Sequence, residues 1–347
     1  MRQQSTRQPR ILVVRALRGL GDFLCITPAL RALRTAQPGA HVTLLGLPEA
    51  QSFVQRVPHL IDGFLEFPGF PGIPEVPANV RAFPAFLQQV QGRFNLALQM
   101  QGSGAAINPF VELLAADRMG GFYRPPDRCP DTGTFLPYPH DLPEPHRWLR
   151  LTEHLGSPAC GDHLEFPLHP QDALELRALH QLDGLRGAYA VIHPGAHDPQ
   201  RRWDAAGFAQ IADALSARGL QVVLTGSANE RALTQEIAAS AFCQPINLAG
   251  LTGLGALGAL LQHAALLVSN DTGVSHLAAA IGTPSVVVFS RSDRQRWAPT
   301  HRQLHRAVGA GVVDGEPLES GILPSPEEVL AEVNALLCAG PHLHSSE

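Results

Sequence analysis

The sequence predicts an α/β protein made of two doubly wound domains, and three observations carry that expectation. The chain has 347 residues, which at roughly 150 residues per domain leaves room for two buried cores. Hydrophobic residues make up 45% of it and charged residues 16%, a balance that fills a core and excludes a disordered polyelectrolyte. Short runs rich in Val, Ile and Leu alternate with helical patterns, and the alternation occurs twice. Apolar strands covered on both faces by their connecting helices are the mark of parallel sheets.

In the first half, strands are expected at residues 11–15, 41–45, 61–65 and 94–100. In the second half they fall at 189–193, 221–225, 265–269 and 285–289. Residues 158–170 lack periodicity and lead into a helical pattern over 172–182. The expected domains are therefore 1–165 and 166–340. Prolines concentrate at 67–84 and 125–145, which reads as two long loops of the first domain. The final helix is expected over 325–338, with Ser325 as N-cap, Pro326 in the first turn and Glu328 completing a capping box. That helix is a candidate to pack back on the N-terminal domain. The tail beyond Ala339 reads as frayed, and no repeat of solenoid period is present.

Charge and cysteine usage narrow the function classes. The net charge is −5, and without a clustered basic surface there is no electrostatic footprint for nucleic acid. All 26 basic residues are arginine, so any phosphate contact from a basic side chain is made by a planar fork. The five cysteines, Cys25, Cys129, Cys160, Cys243 and Cys338, form no CxxC pair and have no histidine at ligand spacing. Their odd number fits no closed disulfide framework, which points to a reducing compartment and to no metal centre. The first ten residues are polar, and the apolar run at 11–14 is too short for a signal-peptide core. No segment reaches the ~18 apolar residues of a membrane span. The expectation is a cytoplasmic protein, with peripheral contact to the inner face of the cell membrane left open and the oligomeric state undetermined.

Four motifs carry chemistry. The first is the strand at 11–15 followed by Gly19, Gly21 and Asp22 and then a helical pattern through Arg34. A strand feeding a glycine turn into a helix brings backbone N–H groups toward a ligand. A dinucleotide fingerprint would need glycine at position 24, where the chain has Leu24. Asp22 stands where ligands bind in such sheets, at the carboxyl end of the strand; from the local sequence alone it reads more readily as a plain helix N-cap. The second motif is His193, Pro194, Gly195, Ala196 and His197, followed by Arg201, Arg202 and Trp203. Its glycine loop can approach a phosphate while arginine supplies charge, or it is a solvated loop anchored by Trp203. The third runs from Thr225 to Glu230, a carboxylate placed to accept from ribose hydroxyls or a simple surface residue of a first turn. The fourth is Ser269, Asn270, Asp271, Thr272 and Gly273, with His276 following and the helix closing at Gly282, Thr283 and Pro284. It offers the Thr272 and Gly273 amides at a helix N-terminus, a ready anion site.

Taken in order, these motifs resemble glycosyltransferase family 9, the bacterial heptosyltransferases. The resemblance runs from about Arg10 to Pro299 and also includes Thr27, Pro28, Gln101, Gly102, Ser103, Gly226 and Trp297. It implies a GT-B architecture, two Rossmann-like domains with parallel sheets facing across a cleft, the first binding acceptor and the second binding the nucleotide-sugar donor. It also implies residue roles: Asp22 as general base; Arg201, Thr272 and Gly273 on the diphosphate, with His193 and Gly195 in the same donor loop; Glu230 on the ribose; Asp271 and His276 on the donor sugar; and Gly21 and Gln101 on the acceptor side. The implied activity is inverting transfer of a sugar, heptose from an ADP-heptose-type donor, to a saccharide or glycolipid acceptor such as lipopolysaccharide core. No metal or other cofactor is expected, in keeping with the absence of an Asp-x-Asp pair.

The chain departs from the family pattern in places. Arg201 stands where the family usually has lysine, and Asn95 and Gln99 stand where acidic residues are usual, which bears on acceptor contacts. The proline-rich stretches also differ, and they admit a different acceptor. Two rival readings share the motifs: a non-catalytic sugar-nucleotide binding protein, and a dinucleotide-binding Rossmann enzyme.

Overall fold

The structure is a computed structural model that describes residues 8–309, 312–313, 316–317 and 323–339. It divides into two compact units, residues 1–163 and 164–347, two residues from the expected boundary.

The first unit contains β1 (Arg10–Arg15), α1 (Leu20–Leu24), α2 (Thr27–Ala36), β2 (His41–Gly46), α3 (Ala50–Arg56), β3 (Gly63–Glu66), α4 (Phe83–Val90), β4 (Leu96–Gln99), α5 (Asn108–Leu113), β5 (Arg118–Tyr123), β6 (Phe135–Pro137) and α6 (Glu144–His154). Its strands form one sheet in the order β3-β2-β1-β4-β5-β6, every neighbouring pair parallel. Leu12, Val14, Leu45, Ala97, Phe110 and Val111 lie at the centre of its core. Both strands flanking the point where the strand order reverses, β1 and β4, are almost wholly buried.

The second unit contains α7 (Pro170–Arg177), β7 (Tyr189–His193), α8 (Ala205–Ser216), β8 (Gln221–Leu224), α9 (Arg231–Ser240), β9 (Ile246–Asn247), α10 (Leu254–Gln262), β10 (Leu266–Asn270), α11 (Gly273–Ile281), β11 (Ser285–Val288), α12 (Arg294–Trp297), β12 (His305–Val308), the short pair β13 (Val312–Val313) and β14 (Glu316–Pro317), and α13 (Pro326–Ala339). Its main sheet has the order β9-β8-β7-β10-β11-β12, again all parallel. Counted within its own unit this is the strand order of the first sheet, so each unit is a complete doubly wound fold with one topological switch point, β1/β4 in the first and β7/β10 in the second.

The expected α/β class with two Rossmann-like units is what the structure has, and several local expectations are corrected. The strand expected at 61–65 begins at Gly63, and the helical pattern at 172–182 divides into α7 and a 3-10 turn over His180–Leu182. The two proline-rich stretches are not simple loops. The first is pinned by Phe70, whose ring meets Phe110 edge-on at 5.5 Å, and it runs into α4. The second contains β6. Strand β5 escapes sequence reading because Gly120 and Gly121 sit inside it, yet a Cβ on Gly121 would press on Gln99 and Phe135. The glycines let β5 close on its neighbours at the expense of the β-branched signature.

α11 stops where the sequence says it should: Gly282 adopts the left-handed conformation at φ 86° and closes the last turn. At α13 the Ser325 amide donates to Glu328 and the Glu328 amide to the Ser325 hydroxyl, 2.7 and 3.3 Å, a capping box. Its apolar face, Val329, Val333 and Leu336, lies in the second unit's own core with Phe208 and Ile211. The tail beyond Ala339 lies outside the described residues. No helix among the described residues is long and apolar enough to cross a membrane.

Candidate functional site

Parallel strands point their carboxyl ends the same way, so loops leaving β7 and β10 emerge side by side. Ser269 of β10 pairs with His193 of β7, which brings the second and fourth motifs together. Asn270 joins them: its side-chain amide donates to the Pro194 carbonyl at 2.7 Å, and its Oδ1 accepts from the Trp203 amide at 2.9 Å. Arg202 closes the same loop with two bonds to the Ala196 carbonyl, 3.1 and 3.0 Å. Sequence reading passed over Asn270 and Arg202 as members of runs. Their weight comes from backbone partners 76 and 6 residues away, which no local pattern announces.

Within that frame Arg201 reaches Asp271, Nη1 to Oδ2 3.7 Å, with Asp271 buried and Arg201 half exposed. Thr272 caps α11 in an extended conformation without a side-chain cap hydrogen bond, and Gly273 opens the helix. First-turn amides of an α-helix have no intrahelical acceptor, which gives this end its affinity for anions. His276, one turn in, is buried and stands edge-on to Trp297 with ring centroids 5.9 Å apart.

The third motif meets the second through Gly195. Glu230 lies so close that a Cβ on Gly195 would collide with its carboxylate. Glu230 Oε2 accepts from the Ser227 amide at 2.7 Å, within a capping box of the 3-10 turn that opens α9. Burial raises the Glu230 carboxyl, but the hydrogen bonds from Ser227, with the charge of Arg202, outweigh it and hold it below its ordinary value. His193 accepts or donates through Nδ1 to the Thr225 hydroxyl at 3.0 Å. Burial pushes it down to about 4 against the pull of Glu230, so it is a neutral imidazole at neutral pH. The arrangement can receive an anion at α11, with a cation at Arg201 and a carboxylate at Glu230 for hydroxyl groups.

The first unit gathers its candidates at its own switch point. Gln101 Oε1 accepts from the Ala16 amide at 2.7 Å, tying the end of β4 to the end of β1. Gly21 is buried in α1, and Asp22 Oδ1 accepts from Arg15 Nη2 at 3.0 Å. Gln99 and Asn95 both make hydrogen bonds within the unit, the first buried and the second exposed. Gln99 is wholly buried, with its amide donating to the Gln101 carbonyl at 2.7 Å, and Asn95 bridges the Arg10 amide and Asp117 at 2.9 and 2.8 Å at the amino end of β4. Beside the Gln101 loop lies a cavity of about 220 Å³ lined by Ser103, Asn108, Tyr123, Arg124, Asp127 and Arg128; the buried Asn108 Oδ1 has no hydrogen-bond partner. Among the described residues no three His, Cys, Asp or Glu side chains cluster as a metal site.

The family model for glycosyltransferase family 9 (heptosyltransferase) matches residues 141–310, a span that holds every residue of the second-unit constellation. Residues 141–310 therefore resemble a family 9 glycosyltransferase domain. The chain is 41% identical over 119 residues to lipopolysaccharide heptosyltransferase 3 of Escherichia coli K12, a match covering 33% of this chain and 35% of that protein. The chain thus spans about a third of the length of that relative. Among solved structures, the glycosyl transferase family 9 protein from Veillonella parvula superposes with a TM-score of 0.77 at 20% identity, covering 96% of this chain and 98% of that one. E. coli heptosyltransferase WaaC with ADP gives 0.65 at 18% identity, covering 94% and 99%. At such identities the likeness establishes the fold, two Rossmann-like units of the GT-B type.

Proposed function

We propose that the protein is an inverting, metal-independent glycosyltransferase that moves heptose from an ADP-heptose-type donor to a saccharide or glycolipid acceptor of the lipopolysaccharide-core kind. The observation that carries this reading is the convergence of Arg201, Glu230, Asp271 and the α11 amides at the β7/β10 switch point, within the span that matches the family 9 model. In that reading the α11 amides and Arg201 take the diphosphate, Glu230 the ribose and Asp271 the sugar hydroxyls. In the first unit, Asp22 accepts the proton of the acceptor hydroxyl as its oxygen attacks the anomeric carbon, and the bond to the diphosphate breaks on the opposite face. Fixed amides and a guanidinium stabilise the departing charge, and the base adds the proton transfer. The cavity at Ser103, with hydroxyl, amide and guanidinium groups around a tyrosine ring, suits a polar, ring-shaped acceptor unit.

Three measurements test the reading. Thermal unfolding against ADP, GDP, UDP, CMP and NAD asks which ligand binds the folded state. A shift with ADP that survives EDTA is expected; a shift with NAD alone would favour a dinucleotide enzyme, and silence a protein that binds none of them. Asp22→Asn keeps an acceptor for Arg15, so it should stay folded while transfer from ADP-heptose falls by about 10²-fold or more. Full turnover by the folded variant removes Asp22 from the mechanism. Asp271→Ala should weaken ADP-heptose in calorimetry by about tenfold or more while ADP itself is little changed; equal losses on both would overturn its assignment to the sugar.

A further inference from the structure

Asp22 is one end of a buried chain of alternating charges. Arg15, fully buried at the end of β1, reaches Asp22 Oδ1 at 3.0 Å and Glu144 Oε1 at 3.5 Å with the same nitrogen, Nη2. Its other terminal nitrogen donates to the Met100 carbonyl, and its guanidinium lies 5.0 Å from the Trp148 ring centre. Glu144, at the start of α6, accepts from Trp148 Nε1 at 3.0 Å and from Arg147 Nη1 at 3.1 Å. Arg147 also donates to the Tyr138 hydroxyl at 2.7 Å and to the His140 carbonyl at 2.9 Å. The charged and titratable groups facing the cluster are thus Arg15 from β1, Glu144 and Arg147 from α6, and Tyr138 and His140 from the segment between β6 and α6.

Two guanidinium groups and two carboxylates balance here, with Arg15, Glu144 and Arg147 out of water and Asp22 partly exposed at the end of the chain. A buried charge network is a poor device for stability, since well-packed apolar residues do as well or better. Its distinctive property is electrical. Two carboxylates on one guanidinium repel each other and compete for its hydrogen bonds, which eases protonation of either, whereas a carboxylate facing an unshared cation resists protonation. Arg147 in turn limits how strongly Glu144 competes for Arg15.

We propose that Glu144 and Arg147 are positioning residues that set the proton affinity of Asp22 through Arg15. Glu144 keeps the Arg15 guanidinium from forming an exclusive pair with Asp22, and Arg147 keeps Glu144 from monopolising it. The inference rests on Asp22 being the base, and the two can fail separately.

The test uses the full-length chain labelled with ¹³C in its aspartate carboxyls, with the Asp22 signal assigned by its loss in Asp22→Asn. Glu144→Gln should move the Asp22 titration to lower pH and Arg147→Met should move it to higher pH, each by about one pH unit. A purely structural role predicts no such opposition. Unmoved titrations, or displacement in the same direction in both variants, overturn the proposal. Removing one partner of a buried pair can prevent folding. The double variant E144Q/R147M keeps one cation and one carboxylate in balance, so it keeps the test open; with residue 144 neutral Arg147 has no competitor to restrain, and the Asp22 titration should stay at lower pH, as in Glu144→Gln. The pH profile of heptose transfer from ADP-heptose to lipopolysaccharide core should follow the same displacements. If the carbon signals move oppositely while the acidic limb of the profile stays put, charge sharing stands and the base assignment falls.

Discussion

At the residue scale the second-unit site depends on side chains that hold backbone rather than on those that would meet a ligand. Asn270 is the clearest. It is wholly buried, and its amide bonds two segments that approach only because β7 and β10 are neighbours. Asn270→Ala leaves the Pro194 carbonyl and the Trp203 amide without that partner, and an unmade buried hydrogen bond costs about 1–3 kcal/mol. Urea unfolding should show a loss of that size, and calorimetry a weaker ADP affinity. Unchanged affinity in a destabilised variant would confine Asn270 to folding.

At the level of elements, the loops after β7 and β10 matter more than the strands themselves. Gly195 has room only for a hydrogen where Glu230 lies against it. Gly195→Ala should push the Glu230 carboxylate aside and lower ADP affinity by about tenfold, while Gly184→Ala, where a Cβ meets nothing, should leave it unchanged. If both variants bind alike, Glu230 does not touch the nucleotide. These loops also show what a sequence reveals. β1, β7, β10 and β11 were legible as Val, Ile and Leu runs, and the end of α11 as Gly282 before Thr283 and Pro284, because each signal is local. β5 was not, since its glycines answer to Gln99 and Phe135 across the sheet. Asp22, Glu230 and Asp271 stood out by type and spacing; Glu144 did not, because its partner Arg15 lies more than a hundred residues away and it falls in a stretch that reads as a proline-rich loop, and Arg147 did not, because it matters only through Glu144.

For the whole molecule, buried histidines govern the response to acid. His193 and His305 are held down to about 4 from an ordinary 6.5, both chiefly by burial. Unfolded chains take up those protons near 6.5 while the folded protein refuses them until about 4. Stability is therefore full above pH 6.5 and falls as the pH drops from 6.5 to 4, by on the order of 3 kcal/mol for each histidine. Glu230, held below its ordinary value, adds a further loss as the pH falls through its folded value. Melting temperatures should be flat above neutrality and decline below it, and His305→Asn, which keeps a polar partner for the Ser285 hydroxyl, should remove about half of the loss above pH 4. A profile unaltered by His305→Asn would mean that other groups control it.

The chain has three tryptophans, and each stands beside a candidate site. The Trp148 indole lies against Arg15, which pairs with Asp22; the Trp203 amide is bonded to Asn270; Trp297 meets the His276 ring and stacks with Arg296. The protein therefore carries its own fluorophores. Replacing them one at a time with phenylalanine separates an emission change at the first unit from changes at the second, so ligand events at each unit can be timed independently in stopped flow without attaching a dye.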